Sequence, residues 1–153
     1  MQRAFYIARE FIFSWRVYKG ISMKTFFMIK PDGVKRELAD EIIAIVEGYG
    51  FIISKKKEMN IDEDMAKLHY AEHHDKPFFN DLIKFITSGP VVAMELEGDE
   101  AVSRLRELMG ATNPSDAETG TIRAKYGTEL EKNVVHGSDS PESAERELNI
   151  FFG

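Results

Sequence analysis

The sequence predicts an α/β fold: one mostly antiparallel sheet with helices packed on one face. Three observations predict it. Short apolar runs at 26–29, 51–53 and 91–94 have the length and the aromatic or β-branched content of buried strands. Segments with apolar residues at helical spacing separate them. A chain of 153 residues, 43% hydrophobic and 30% charged, can build one core and is too apolar for a disordered chain.

The elements follow in order. Lys24 to Lys30 reads as a strand, and its four consecutive apolar residues imply burial on both faces. Pro31-Asp32-Gly33 reads as a turn. Leu38 to Gly48 predicts a helix, with Leu38, Ile42, Ile45 and Val46 on one side and Gly48 as its stop. Phe51 to Met59 is a second strand, apolar first and then basic through Lys55, Lys56 and Lys57. Asp62 is placed to cap a helix reaching His69, and Pro77 to Ile86 predicts another. Pro90 to Leu96 is a third buried strand, and Asp99 is placed to cap a helix ending near Met109. Ala111 to Lys132 has weak periodicity and three breakers, Pro114, Gly120 and Gly127. Excursions of that length in a compact domain usually have a function. Asn133 to His136 predicts a last short strand and Pro141 to Leu148 a last helix, with Pro141 at its first position. The order is roughly β-α-β-(αα)-β-α-β-α.

Charge and cysteine usage exclude several classes. There is no cysteine, so disulfides, thiolate catalysis and Cys-ligated zinc are excluded. The net charge of −6 argues against a nonspecific nucleic-acid coat and makes nucleic acid an unexpected partner. That charge is uneven. Residues 1–22 hold Arg3, Arg9, Arg16 and Lys19 against Glu10, a net of about three positive charges, with about −9 on the rest. The leader is also aromatic, and Met23 offers a second start just before the first strand. It reads as a non-native or misassigned start. An extension packing on the surface or on a partner is the second reading, and targeting or membrane attachment the third. No apolar run in it is long enough to span a membrane, and Arg9-Glu10 interrupts the best signal-peptide core. The expectation is a cytoplasmic protein with one domain over 23–153.

Several residues could carry chemistry. His136 ends an apolar strand and precedes small residues that leave room for a bulky ligand. Its ordinary pKa makes a neutral nucleophile available at pH 7, although a histidine capping a sheet edge fits the local pattern equally. Glu147 stands eleven residues on. A helix folding back would bring it to His136 or Ser138; otherwise it is solvated, as Glu142 and Glu145 are expected to be. Lys30 emerges from a buried strand and suits phosphate as a point charge, against ordinary strand-end solvation. No glycine-rich triphosphate loop precedes it. Arg106 and Arg123 flank the excursion, with Thr112 and Asn113 between them, a set able to surround a diphosphate. Arg104 faces another way from Arg106 on a helix, and the sequence does not choose between them. One of Phe78 and Phe79 is free to stack on a base. Tyr70 and Asn133 can supply hydrogen bonds. His69, His73 and His74 lack the H-E-x-x-H order and a marked third ligand, so no metal site is assigned.

Together these residues resemble the nucleoside diphosphate kinase family. The segment Asn133-Val-Val-His-Gly-Ser-Asp-Ser140 is similar to its active-site signature and continues into Pro141-Glu-Ser-Ala-Glu-Arg-Glu147. Ile29-Lys-Pro-Asp-Gly-Val34, Pro77-Phe-Phe79, Ser88-Gly-Pro-Val-Val-Ala-Met94, Thr112-Asn-Pro114 and Gly120-Thr-Ile-Arg123 recur in the family's order. The resemblance spans 23–153.

It implies a ferredoxin-like α+β sandwich with an antiparallel four-stranded sheet and additional helices. It implies transfer of the γ-phosphoryl group from a nucleoside triphosphate, usually ATP, to a nucleoside diphosphate by a ping-pong route. His136 matches the nucleophile that becomes phosphohistidine. Lys30, Arg106, Thr112, Arg123 and Asn133 match the residues around the phosphates and sugar, and Phe78 the ring under the base. Tyr70 matches the tyrosine near the transferred phosphate, and Glu147 with Ser138 the pair supporting the histidine. Mg²⁺ is implied, bridging nucleotide phosphates with Asp139 at most holding one of its waters. The end at Gly153 resembles the short microbial form. A homo-oligomer is implied, with a hexamer expected over a tetramer. The competing reading is a binding or regulatory protein without turnover, which loss of the nucleophile would favour; His136 is present.

Overall fold

Strand β1 (Lys24–Ile29) is the spine of the molecule. It pairs antiparallel with β3 (Val91–Glu97) on one side and with β4 (Val135–Gly137) on the other. Strand β2 (Ile52–Met59) pairs antiparallel with β3 and forms an edge, giving the order β2-β3-β1-β4. The computed structural model describes residues 23–153, and the leader read from the sequence lies outside the described residues.

Between the strands run α1 (Pro31–Lys35), α2 (Ala39–Gly48), α3 (Glu63–His69), α4 (Phe79–Ile86), α5 (Ala101–Met109) and α6 (Ile122–Tyr126), and α7 (Pro141–Phe152) follows the last strand. This is the ferredoxin-like arrangement with additional helices. Helices on one face only is corrected, because the alternation along β1 sends side chains both ways. Phe27 and Ile29 join Ile42, Val46, Leu105 and Met109, so α2 and α5 cover one face. Phe26 and Met28 join Ala66, Ile83, Ile86 and Phe151, so α3, α4 and α7 cover the other. The apolar run in β1 had already required two covered faces.

Three local readings also change. Pro31-Asp32-Gly33 is the first turn of α1, with Pro31 at its start and Asp32 favouring the positive end. Gly33 is there for close approach: a Cβ would stand 2.9 Å from Ile29 Cγ2 and 3.3 Å from the Val134 carbonyl. Asp99 does not cap α5; Glu100 takes that position in a left-handed conformation, φ 47°. The last strand is shifted to Val135–Gly137, and α7 runs on to Phe152 because Phe151 is buried in the second core. Asp62 caps α3 as expected, its carboxylate accepting from the Met65 amide at 2.8 Å. The excursion after α5 holds a 3-10 turn, Pro114–Asp116, and then α6.

Candidate active site

A cleft of about 430 Å³ opens where β1 and β4 meet the excursion. Lys30, Tyr70, Phe78, Arg106, Thr112, Arg123, Asn133, His136, Asp139 and Glu147 all line it. Ser138 is the exception among the candidates: it is buried behind the wall.

The backbone before His136 is tightly held. Val134 has φ 64°, a left-handed value unusual for a β-branched residue. Its amide donates to the Asp32 carboxylate at 3.2 Å, and its carbonyl accepts from the Lys30 amide at 2.8 Å. Asn133 Oδ1 accepts from Lys30 Nζ at 2.8 Å, while Asn133 Nδ2 donates to the carbonyls of Thr112 and Leu130. Lys30 and Asn133 are thus joined before any ligand arrives.

His136 points from β4 into the cleft, and its Nε2 bonds to Glu147 on α7. Burial, then the positive charges of Lys30 and Arg123, lower its pKa to about 3. The ring is therefore neutral at pH 7. With Nε2–H donated to the carboxylate, the Nδ1 lone pair is left available. Burial raises the Glu147 pKa, partly offset by His69 and Arg146. The Ser138 hydroxyl makes no regular hydrogen bond, yet stands near enough to favour the charged carboxylate.

Three cations line the cleft with this ring. Arg123 is buried and donates to the carbonyls of Gly110 at 3.1 Å and Val135 at 2.9 Å. Burial and then Arg106 lower its pKa to about 10, so it stays charged at pH 7. Arg106 is exposed and meets Asp139 at 2.5 Å. Burial lowers Lys30 to about 8. Arg104 turns away, donating to the carbonyls of Tyr49 and Asp99, and of the two arginines it is Arg106 that lines the cleft. Tyr70 ends α3; burial and then Glu147 raise its hydroxyl to about 12, keeping it protonated. Phe78 stands 42% exposed on the cleft, its ring 5.8 Å from that of His73, while Phe79 packs toward the core.

Arg146 and His69 also line the cleft, although neither is assigned to it from the sequence. Arg146 donates to the Leu68 carbonyl at 3.1 Å, tying α7 to α3. His69 lies edge-on to His136, with ring centroids 4.6 Å apart. Grouping His69 with His73 and His74 hid this, because α3 ends at His69 and the chain turns away. The usable signal was the position of His69 three residues from buried Ala66 on an amphipathic helix.

Mg²⁺ takes oxygen ligands and keeps several waters when phosphates hold it. Among the cleft carboxylates Asp139 is exposed and stands beside Arg106, which fits one water-mediated contact rather than a protein cage.

A sheet covered by helices on both faces, with a cationic cleft around a neutral imidazole, defines the class of small phosphotransferases. The family model for nucleoside diphosphate kinase matches residues 23–153. A nucleoside diphosphate kinase of Methanosphaera stadtmanae is 55% identical over 132 residues, covering 86% of this chain and 87% of the relative. The structure of the Halobacterium salinarum nucleoside diphosphate kinase in complex with CDP superposes with a TM-score of 0.82 at 51% identity, covering 84% of this chain and 86% of that one. The Encephalitozoon cuniculi enzyme gives a TM-score of 0.84 at 40% identity, covering 86% and 90%. The chain belongs to the nucleoside diphosphate kinase family. Its activity is transfer of the γ-phosphoryl group from a nucleoside triphosphate to a nucleoside diphosphate in a ping-pong exchange.

Proposed function

We propose that His136 carries the phosphoryl group between the two half-reactions. The observation that carries this is its Nε2 bond to Glu147 beside three cations. The Nδ1 lone pair attacks the γ-phosphorus in line, the bond to the bridging oxygen breaks, and the nucleoside diphosphate leaves with that electron pair. In the second half a terminal oxygen of another diphosphate attacks the same phosphorus and the N–P bond breaks. Glu147 stabilises the ring as it gains positive character, and Ser138 supports the carboxylate. Lys30, Arg106 and Arg123 offset charge on the oxygens of the moving group. Thr112 and Tyr70 offer hydroxyl donors, and the joined Lys30–Asn133 pair faces the sugar. Phe78 stacks on the base, which tolerates any base identity. Mg²⁺ arriving with the nucleotide would supply charge neutralisation at the phosphates, and Asp139 is the cleft residue that would hold it through a water.

Incubation with γ-labelled ATP tests the carrier. The native protein takes an acid-labile label that leaves on addition of a nucleoside diphosphate, and His136→Ala takes none. A stable label on Ser138, or transfer persisting in the variant, overturns the assignment. Competition among the common nucleoside diphosphates is expected to show weak base preference.

A homo-oligomer, a hexamer before a tetramer, is part of the same proposal. The edge position of β2, with Ile52 65% exposed, supports self-association. Light scattering distinguishes the two assemblies. Among the described residues no helix is long and apolar enough to cross a membrane. A cytoplasmic location follows from the proposed substrates, free nucleotides.

A further inference from the structure

Among the described residues one group of three metal-ligating side chains converges: His69, His136 and Glu147. A ring nitrogen of each histidine and a carboxylate oxygen lie within 4.8 Å of one another. His69 is 5% exposed, and neither of its ring nitrogens has a hydrogen-bond partner. Buried polar atoms without a partner are uncommon and call for a reason. The His69 ring is packed edge-on against His136 and Tyr70, with centroids 4.6 Å away in both cases, and so is aimed at the cleft wall. The phosphoryl transfer outlined above uses no atom of it.

We propose that His69, His136 and Glu147 bind a divalent cation of the Zn²⁺ class, and that occupancy stops phosphorylation of His136. The donor set is two imidazoles and one carboxylate, the three-ligand pattern that Zn²⁺ accepts with a fourth position open. The cleft supplies that fourth position to a water. Mg²⁺ takes oxygen ligands and does not compete for two imidazole nitrogens, so the site separates the two ions. Both rings are neutral at pH 7, which is the ligating form. Tetrahedral zinc holds its ligand atoms about 3.4 Å apart. Glu147 must therefore leave its direct bond to Nε2, and the wider span must close by side-chain rotation.

The blocking step follows from one proton. In the metal-free ring it sits on Nε2, donated to Glu147. A cation on Nε2 sends it to Nδ1, with no net release, and the lone pair that attacks phosphorus is lost. This half of the proposal rests on His136 being the carrier; the metal site does not.

The chain has four histidines, so ¹⁵N-histidine NMR of the native protein reads each ring during a Zn²⁺ titration. One equivalent is expected to shift the His69 and His136 signals and leave His73 and His74 unmoved. In parallel, the rate of label uptake from γ-labelled ATP with Mg²⁺ in excess falls at least tenfold as the site fills and recovers on chelation. In His69→Phe that rate no longer responds to Zn²⁺. Shifts confined to His73 and His74 overturn the site, and a full site with unchanged label uptake overturns the blocking. A metal-free chain that takes no label refutes the carrier reading and the blocking step with it, while the ring shifts still decide the site.

Discussion

Lys30 is a cation of the cleft whose charge depends on pH just above neutrality. Burial has brought it to about 8, so it is mostly protonated at pH 7 and loses its charge as pH rises. The free enzyme therefore loses a phosphate-binding cation above that point. We expect kcat/KM to fall above pH 8, approaching tenfold per pH unit, and Lys30→Arg to remove the fall while lowering the plateau. A pH–rate profile of both forms checks this. Glu147 answers a different question. Glu147→Gln keeps an acceptor for Nε2–H and removes the charge that stabilises the ring. Hydrogen bonds to charged groups contribute about 1.5–3 kcal/mol, so the first half-reaction should slow roughly tenfold to a hundredfold. KM should change little, because Glu147 faces the ring and not the nucleotide. Single-turnover phosphorylation separates the two parameters.

At the scale of elements, the joint between α1 and β4 sets the active-site geometry. Val134 is held left-handed by two hydrogen bonds, one to the Asp32 carboxylate and one from the Lys30 amide. Strain of this kind persists only where its surroundings over-determine it. Asp32→Ala leaves a buried amide unpaired, which costs about 1–3 kcal/mol. Each kcal/mol lowers Tm by roughly 2–4 °C in a chain of this size, and phosphorylation of His136 should slow with it. Thermal melts and label uptake measure both effects; an unchanged Tm would remove this role from Asp32. The same joint shows where sequence reading stops. Strands and the longer helices were legible, because β1 and β3 are buried runs and α2 and α5 place apolar residues at helical spacing. The Pro31-Asp32-Gly33 helix was not legible, because its stability comes from β4, a hundred residues away. Nor was Glu100 in place of Asp99, since the left-handed residue there is a backbone choice without a local side-chain signal. The convergence of Lys30, Arg106, Arg123 and His136 was legible only through the family signature. Spacing alone left Lys30 and His136 each with a competing structural reading, and set Arg106 and Arg123 around a diphosphate without bringing them to His136.

For the whole molecule, the buried histidines link stability to pH. His69 and His136 are both held near pKa 3 by burial, whereas an unfolded histidine titrates near 6.5. Below 6.5 the unfolded chain binds protons that the folded chain refuses, so stability rises with pH between about 3 and 6.5 and is lost as pH falls through that window. Each fully independent histidine contributes about 1.4 kcal/mol per pH unit there. The two rings touch and Glu147 lies against His136, so the pair contributes less than twice that. Glu147 works the other way. Its raised pKa lets the folded state take up a proton early in acid, which returns part of the loss. A domain of ordinary stability, about 5–15 kcal/mol, is then expected to weaken by several kcal/mol between pH 6.5 and 4.5. Melting curves across that range should show a steady fall in Tm, and His69→Phe should flatten the slope because one of the two refused protons is gone. Equal slopes in both proteins would mean that His69 does not titrate on unfolding, and that the acid sensitivity lies in the carboxylates.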